Sequence, residues 1–162
     1  MFGKKKEEAE SKSTLTVKDV TDIVRNALED AKLKYNYISE SNVFVTGFMG
    51  DDLPITANIG IRDGILRYVC HLDLKAQTEN YKNVAWELNC INKNLMFGMF
   101  YLDPDDGMIS FEYNFPYAEA SLSEGFVLAF LQMAGKTVDK YDGDLKKLAE
   151  TVKTSHDNSM YS

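Results

Sequence analysis

Near the start of the chain, apolar residues recur at spacings of three and four: Val17, Val20, Val24, Ala27, Leu28 and Ala31. This is the period of a helix that buries one face, and it predicts a first helix over residues 17–33, with Thr16 and Asp19 forming its N-terminal cap. The pattern then turns to alternation. A strand is expected over 42–48, ended by Gly50-Asp51-Asp52. In the next strand Ile55, Ala57, Ile59 and Ile61 face one way, while Thr56, Asn58 and Arg62 face the other. Asp63-Gly64 suits a two-residue turn into a third strand over 65–73.

Helical spacing returns over 79–93, and two more strands follow at 95–102 and 108–115. Asp103-Pro104-Asp105-Asp106-Gly107 forms the turn between them, and Pro116 closes the second. A third helix is predicted from about 122 to 141, with Ser121 as its cap and Glu124 completing a capping box. Asp142-Gly143 separates it from a short amphipathic extension on Leu145, Leu148 and Val152. The order α-β-β-β-α-β-β-α defines an α+β domain with an antiparallel five-stranded sheet covered by helices. The domain is expected over 14–153, with polar tails at 1–13 and 154–162.

Two segments carry more apolar surface than one small core needs. On the second helix Tyr81, Val84, Ala85, Leu88 and Ile91 share the face expected to pack on the sheet. Trp86 and Cys90 fall on the opposite, otherwise polar face. The fourth strand, Leu95 to Leu102, is apolar on both faces, whereas its hairpin partner alternates; Met96, Phe100 and Leu102 therefore ask for extra cover. Trp86, Cys90, Met96, Phe100 and Leu102 are the expected interface, against a second copy or a client protein, with intrachain cover as the alternative. The third helix is apolar over more than half its circumference and is expected to touch more than one neighbour.

A chain of 162 residues with net charge −7 repels phosphate backbones and anionic lipid, so neither nucleic acid nor a membrane surface is an expected partner. Met1-Phe2-Gly3-Lys4-Lys5-Lys6 has no apolar run of a signal peptide, and Gly3 stands one place late for myristoylation. Cys70 and Cys90 show no disulfide framework, as in a reducing cytoplasm.

Three chemical motifs fail on geometry. Gly135-Lys136-Thr137 resembles the end of a phosphate-binding loop, but Phe130 stands where the first glycine is required, and the segment is helical. Asp103, Asp105 and Asp106 lack calcium-loop spacing, and Asn114 occupies the position of the bidentate glutamate. Cys70 and His71 are adjacent on a strand, so their side chains diverge. No catalytic residue, metal ligand or cofactor site is expected.

Glu87-Leu88-Asn89-Cys90-Ile91-Asn92, the run from Leu95 to Asp103, Asp106-Gly107 and Glu112-Tyr113-Asn114-Phe115-Pro116 resemble the YbjN-like family. That family has a Leu-Asn-x-x-Asn helix end, a Phe-Gly-x-Phe strand, an Asp-Gly turn and an acidic-apolar strand closing in proline. A basic residue often follows Phe-Gly in the family, where this chain has Met99. The resemblance implies the fold of the type III secretion chaperones, which are small, acidic and dimeric and bind unfolded segments of secreted proteins without ATP. It implies no catalytic residue.

The function expected from sequence is a non-enzymatic protein-binding module, chaperone-like or regulatory, acting as a homodimer. The alternative is a small-molecule-sensing domain with a pocket between the sheet and the third helix, lined by Phe126, Phe130 and Met133. An enzyme would need Asp73 and Glu112 to converge in a cleft.

Overall fold

The computed structural model describes residues 15–118 and 120–150. The expected tails lie outside these residues, as does Val152. Helix α1 (Val17–Asp30) is followed by four strands, β1 (Tyr35–Ile38), β2 (Val43–Met49), β3 (Pro54–Arg62) and β4 (Ile65–Lys75). A 3-10 turn at Thr78–Asn80 leads into α2 (Tyr81–Asn92), then β5 (Met99–Leu102), β6 (Met108–Pro116) and α3 (Glu124–Glu150). The strands form one antiparallel sheet of six, in the order β1-β2-β3-β4-β6-β5.

The first cap is as the sequence predicts. The Thr16 hydroxyl accepts from the Asp19 amide at 3.2 Å, and the Asp19 carboxylate accepts from the Thr16 amide at 2.9 Å. Helices α1 and α3 pack on each other and on one face of the sheet. Val20, Val24, Ala27 and Leu28 of α1 are completely buried, opposite the Ile55-Ala57-Ile59-Ile61 stripe of β3. On β4 the inward residues are Leu66, Tyr68, Cys70 and Leu72; on β6 they include Ile109 and Phe111. The opposite sheet face carries Asn58, Arg67, His71 and Glu112 and is partly solvated.

Four expectations need correction. The sheet has six strands, not five, because residues 35–38 pair with β2 from Tyr35 opposite Thr46 to Ile38 opposite Val43. This strand has only four residues; it is fixed by packing, with the Tyr35 and Tyr37 rings 5.3 and 4.5 Å from the buried Phe44 ring. The strand preceding the Asp-Pro turn is not buried on both sides. It is reduced to Met99–Leu102 at the sheet edge, and Leu95, Met96 and Phe97 lie in the connection from α2. Helix α3 begins at Glu124, with the Ser123 hydroxyl, not that of Ser121, accepting from the Phe126 amide at 3.1 Å. It then runs unbroken through Asp142-Gly143 to Glu150.

The continuity of α3 has a local cause. The buried Asp142 carboxylate accepts from the backbone amides of Asp52 at 3.0 Å and Leu53 at 3.2 Å, and Asp139 accepts from the Asp51 amide at 2.8 Å. The β2–β3 turn therefore docks on the helix, and Gly143 has no side chain where the Asp52 carboxylate lies.

Candidate functional site

An edge strand leaves a row of backbone groups free to pair with another chain. At β5 this edge is closed from within. The side-chain amide of Asn92, the last residue of α2, donates to the Phe100 carbonyl at 2.8 Å, and its oxygen accepts from the Phe100 amide at 2.8 Å. One side chain thus imitates one rung of a neighbouring strand. Asn92→Leu is expected to cost about 2 kcal/mol for the two lost bonds and to raise aggregation through the bared edge. Chemical denaturation and light scattering on the same samples check both effects.

Between Asn92 and β5 the chain reverses through Gly98 at φ +66°. A Cβ there would meet the Phe111 ring and the Glu112 carbonyl oxygen. The Leu-Asn-x-x-Asn and Phe-Gly-x-Phe signatures are two halves of one construction that seats α2 beside the edge strand. Val84 and Leu88 are buried in the seam.

The outward side of this construction is apolar. Trp86 is 65% exposed, Met96 87% and Met99 56%, and Phe97 is also exposed with its ring 5.7 Å from Tyr113. Cys90 is half-buried on the same helix, and Leu102 is half-buried on β5. Phe100 is placed differently from the expectation. It is 1% exposed, filled in by Phe111 at 5.0 Å and Tyr141 at 5.8 Å, so its cover comes from its own chain. The signal missed in the sequence was that of Phe97 and Met99, which flank Gly98 and remain outside.

Phe126, Phe130 and Met133 do not surround an open space. Phe130 is buried within an aromatic cluster, its ring 4.5 Å from Tyr113 and 6.4 Å from Phe126.

The groups that could have carried chemistry are separated or engaged. Cys70 is buried on the inner sheet face, where burial pushes its thiol up to about 12 and keeps it protonated. His71 is on the outer face, with its Nδ1 3.0 Å from the Ser110 hydroxyl. Glu112 is held by Arg67 through two bonds of 2.9 and 2.7 Å, and this pairing lowers the carboxyl pKa and raises that of the guanidinium. Asp73 sits apart, exposed at a bulge in β4 with φ 56°. The three aspartates of the β5–β6 connection make a turn: Asp103 and Asp106 side chains accept from the amides of Asp105 and Met108. Among the described residues no group of three or more His, Cys, Asp or Glu could hold a metal ion, and no helix is long and apolar enough to cross a membrane.

No curated protein matches the chain. Among solved structures, YbjN from E. coli aligns with a TM-score of 0.65 at 13% identity, covering 83% of this chain and 96% of that one. The HopA1–SchA chaperone–effector complex aligns at 0.53 and 8% identity, over 82% and 98% of the two chains. The ExsC–ExsE complex aligns at 0.51 and 10%, over 82% and 95%. The fold is that of the type III secretion chaperones, with a sixth strand added at the β1 edge. The profile of the YbjN family, described as "Putative bacterial sensory transduction regulator", matches residues 21–147. Since this span takes in every strand and most of all three helices, the chain belongs to the YbjN family.

Proposed function

We propose that this protein is a non-enzymatic, cytoplasmic protein-binding module, a chaperone-like or regulatory adaptor that works as a homodimer, with residues 14–153 as its folded unit. The observation that carries the reading is the concentration of large exposed apolar side chains in one stretch of chain, Trp86, Met96, Phe97 and Met99. Tryptophan and methionine left in water at such density favour an interface, and tryptophan is the residue most enriched in interface hot spots. Two structures sharing the fold are complexes, one of them described as chaperone with effector. The net charge of −7 suits a basic or apolar partner better than an acidic one.

The sole tryptophan is its own reporter. On raising the concentration, the measured mass is expected to move to twice 18.3 kDa, with a blue shift of the Trp86 emission as the indole leaves water. Trp86→Ala is expected to weaken self-association about thirtyfold, the size of a hot-spot truncation near 2 kcal/mol. A monomer at every concentration, or a dimer that Trp86→Ala leaves unchanged, rejects the homodimer.

A further inference from the structure

Away from the α2 edge, between α3 and the β2–β3–β4 part of the sheet, lies an open-mouthed cavity of about 440 Å³. That size is within the range that holds small organic ligands. Its walls include Phe48 and Met49 from β2 and Leu128 and Leu131 from α3; Phe48 and Met49 are 37% and 75% exposed at the mouth. Tyr68 also lines it. The Tyr68 side chain is 2% exposed, and its hydroxyl is buried without a hydrogen-bond partner. The Cys70 thiol bears on it, but sulfur is a weak donor and a weak acceptor and does not satisfy a phenol. Among the described residues this is the one buried side-chain polar atom left so. Native interiors satisfy such groups almost without exception, so an orphan bordering an apolar cavity marks a place for a ligand oxygen.

The mouth adds a charge. Lys136 borders the cavity and makes no ion pair among the described residues. Asp139, three residues on, is engaged by the Asp51 amide at 2.8 Å.

We propose that this cavity binds a small aromatic carboxylic acid that carries a hydroxyl or carbonyl at its far end. The carboxylate pairs with Lys136, the ring lies among Phe48, Leu128 and Leu131, and the far oxygen meets the Tyr68 hydroxyl. The site is separate from the α2–β5 surface and stands whether or not that surface dimerises.

The test is titration of the full chain with 6-hydroxy-2-naphthoate, followed by the probe's own fluorescence, together with thermal melting of the ligand-free proteins. One saturable site is expected. Tyr68→Phe and Lys136→Gln each weaken it about tenfold, Leu131→Trp fills the cavity and abolishes binding, and Trp86→Ala leaves it unchanged. Ligand-free Tyr68→Phe is expected to melt above wild type, because it removes a buried hydroxyl that bonds to nothing. Absence of saturable binding to wild type overturns the proposal. So does binding that survives both Tyr68→Phe and Leu131→Trp, or binding lost in Trp86→Ala. A ligand-free Tyr68→Phe protein that melts below wild type shows the hydroxyl satisfied, and overturns it equally.

Discussion

Gly98→Val is expected to destabilise the protein by about 3–5 kcal/mol, the sum of overpacking a filled core and of forcing a branched residue into a left-handed conformation. Gly98 stands at φ +66°, and a Cβ at this position would meet the Phe111 ring and, at 2.7 Å, the Glu112 carbonyl oxygen. Neither neighbour can give way. Phe111 is completely buried against Phe100, and the Glu112 backbone is in the β4–β6 ladder opposite Val69. The strain therefore passes into the α2–β5 connection and loosens the Asn92 bonds to Phe100. In urea the unfolding midpoint should fall with little change in the slope. Gly125→Ala is the control, since the nearest atom to its Cβ is the Ser123 hydroxyl at 4.0 Å and the residue is helical, so it should be neutral or slightly stabilising. If Gly98→Val costs no more than Gly125→Ala, the account of the edge is wrong.

How far the sequence carried is visible element by element. The α1 stripe and the β3–β4 hairpin were legible because each is a local rule, a helical period with its cap and an alternation with its Asp-Gly turn. The divergence of Cys70 and His71 followed from the pleat alone. The first strand of the sheet was not legible: Tyr35 to Ile38 is too short to show a period, and it becomes a strand by packing two tyrosines on Phe44. Leu95–Leu102 misled for the opposite reason. An unbroken apolar run can mean burial on two faces or a strand beginning late, and the positive φ of Gly98, which decides, is a property of the fold. Phe100 and Met99 thus exchange roles, one to the core and one to the surface.

The site divides in the same way. Trp86, as an apolar residue on a polar helix face, could be found by counting at 100° per residue. The Asn92 clamp could not, because its partner is backbone and leaves no mark on the sequence around Phe100. The Tyr68 hydroxyl is harder still, since an unsatisfied atom is defined by what every neighbouring element fails to supply.

Asp142→Ala is the second large expected effect, a loss of about 3 kcal/mol, because Asp142-Gly143 is a docking point where the residue types alone suggest a helix break. Asp142 is 1% exposed, and its carboxylate holds the amides of Asp52 and Leu53. Removing it strands two donors, and that of Leu53 is in a buried setting where water is a poor substitute. Asp139 does similar work for Asp51, but its bond is exposed and water can replace it, so Asp139→Ala should cost under about 1 kcal/mol. Asp142→Asn keeps one acceptor oxygen and should fall between the two. The order expected in thermal melts is therefore Asp142→Ala lowest, then Asp142→Asn, then Asp139→Ala, and amide exchange at Asp52 and Leu53 should quicken most in the first. Equal losses for Asp142→Ala and Asp139→Ala would mean that the β2–β3 turn is held by its own strands. The helix would then need another reason to run unbroken past Gly143.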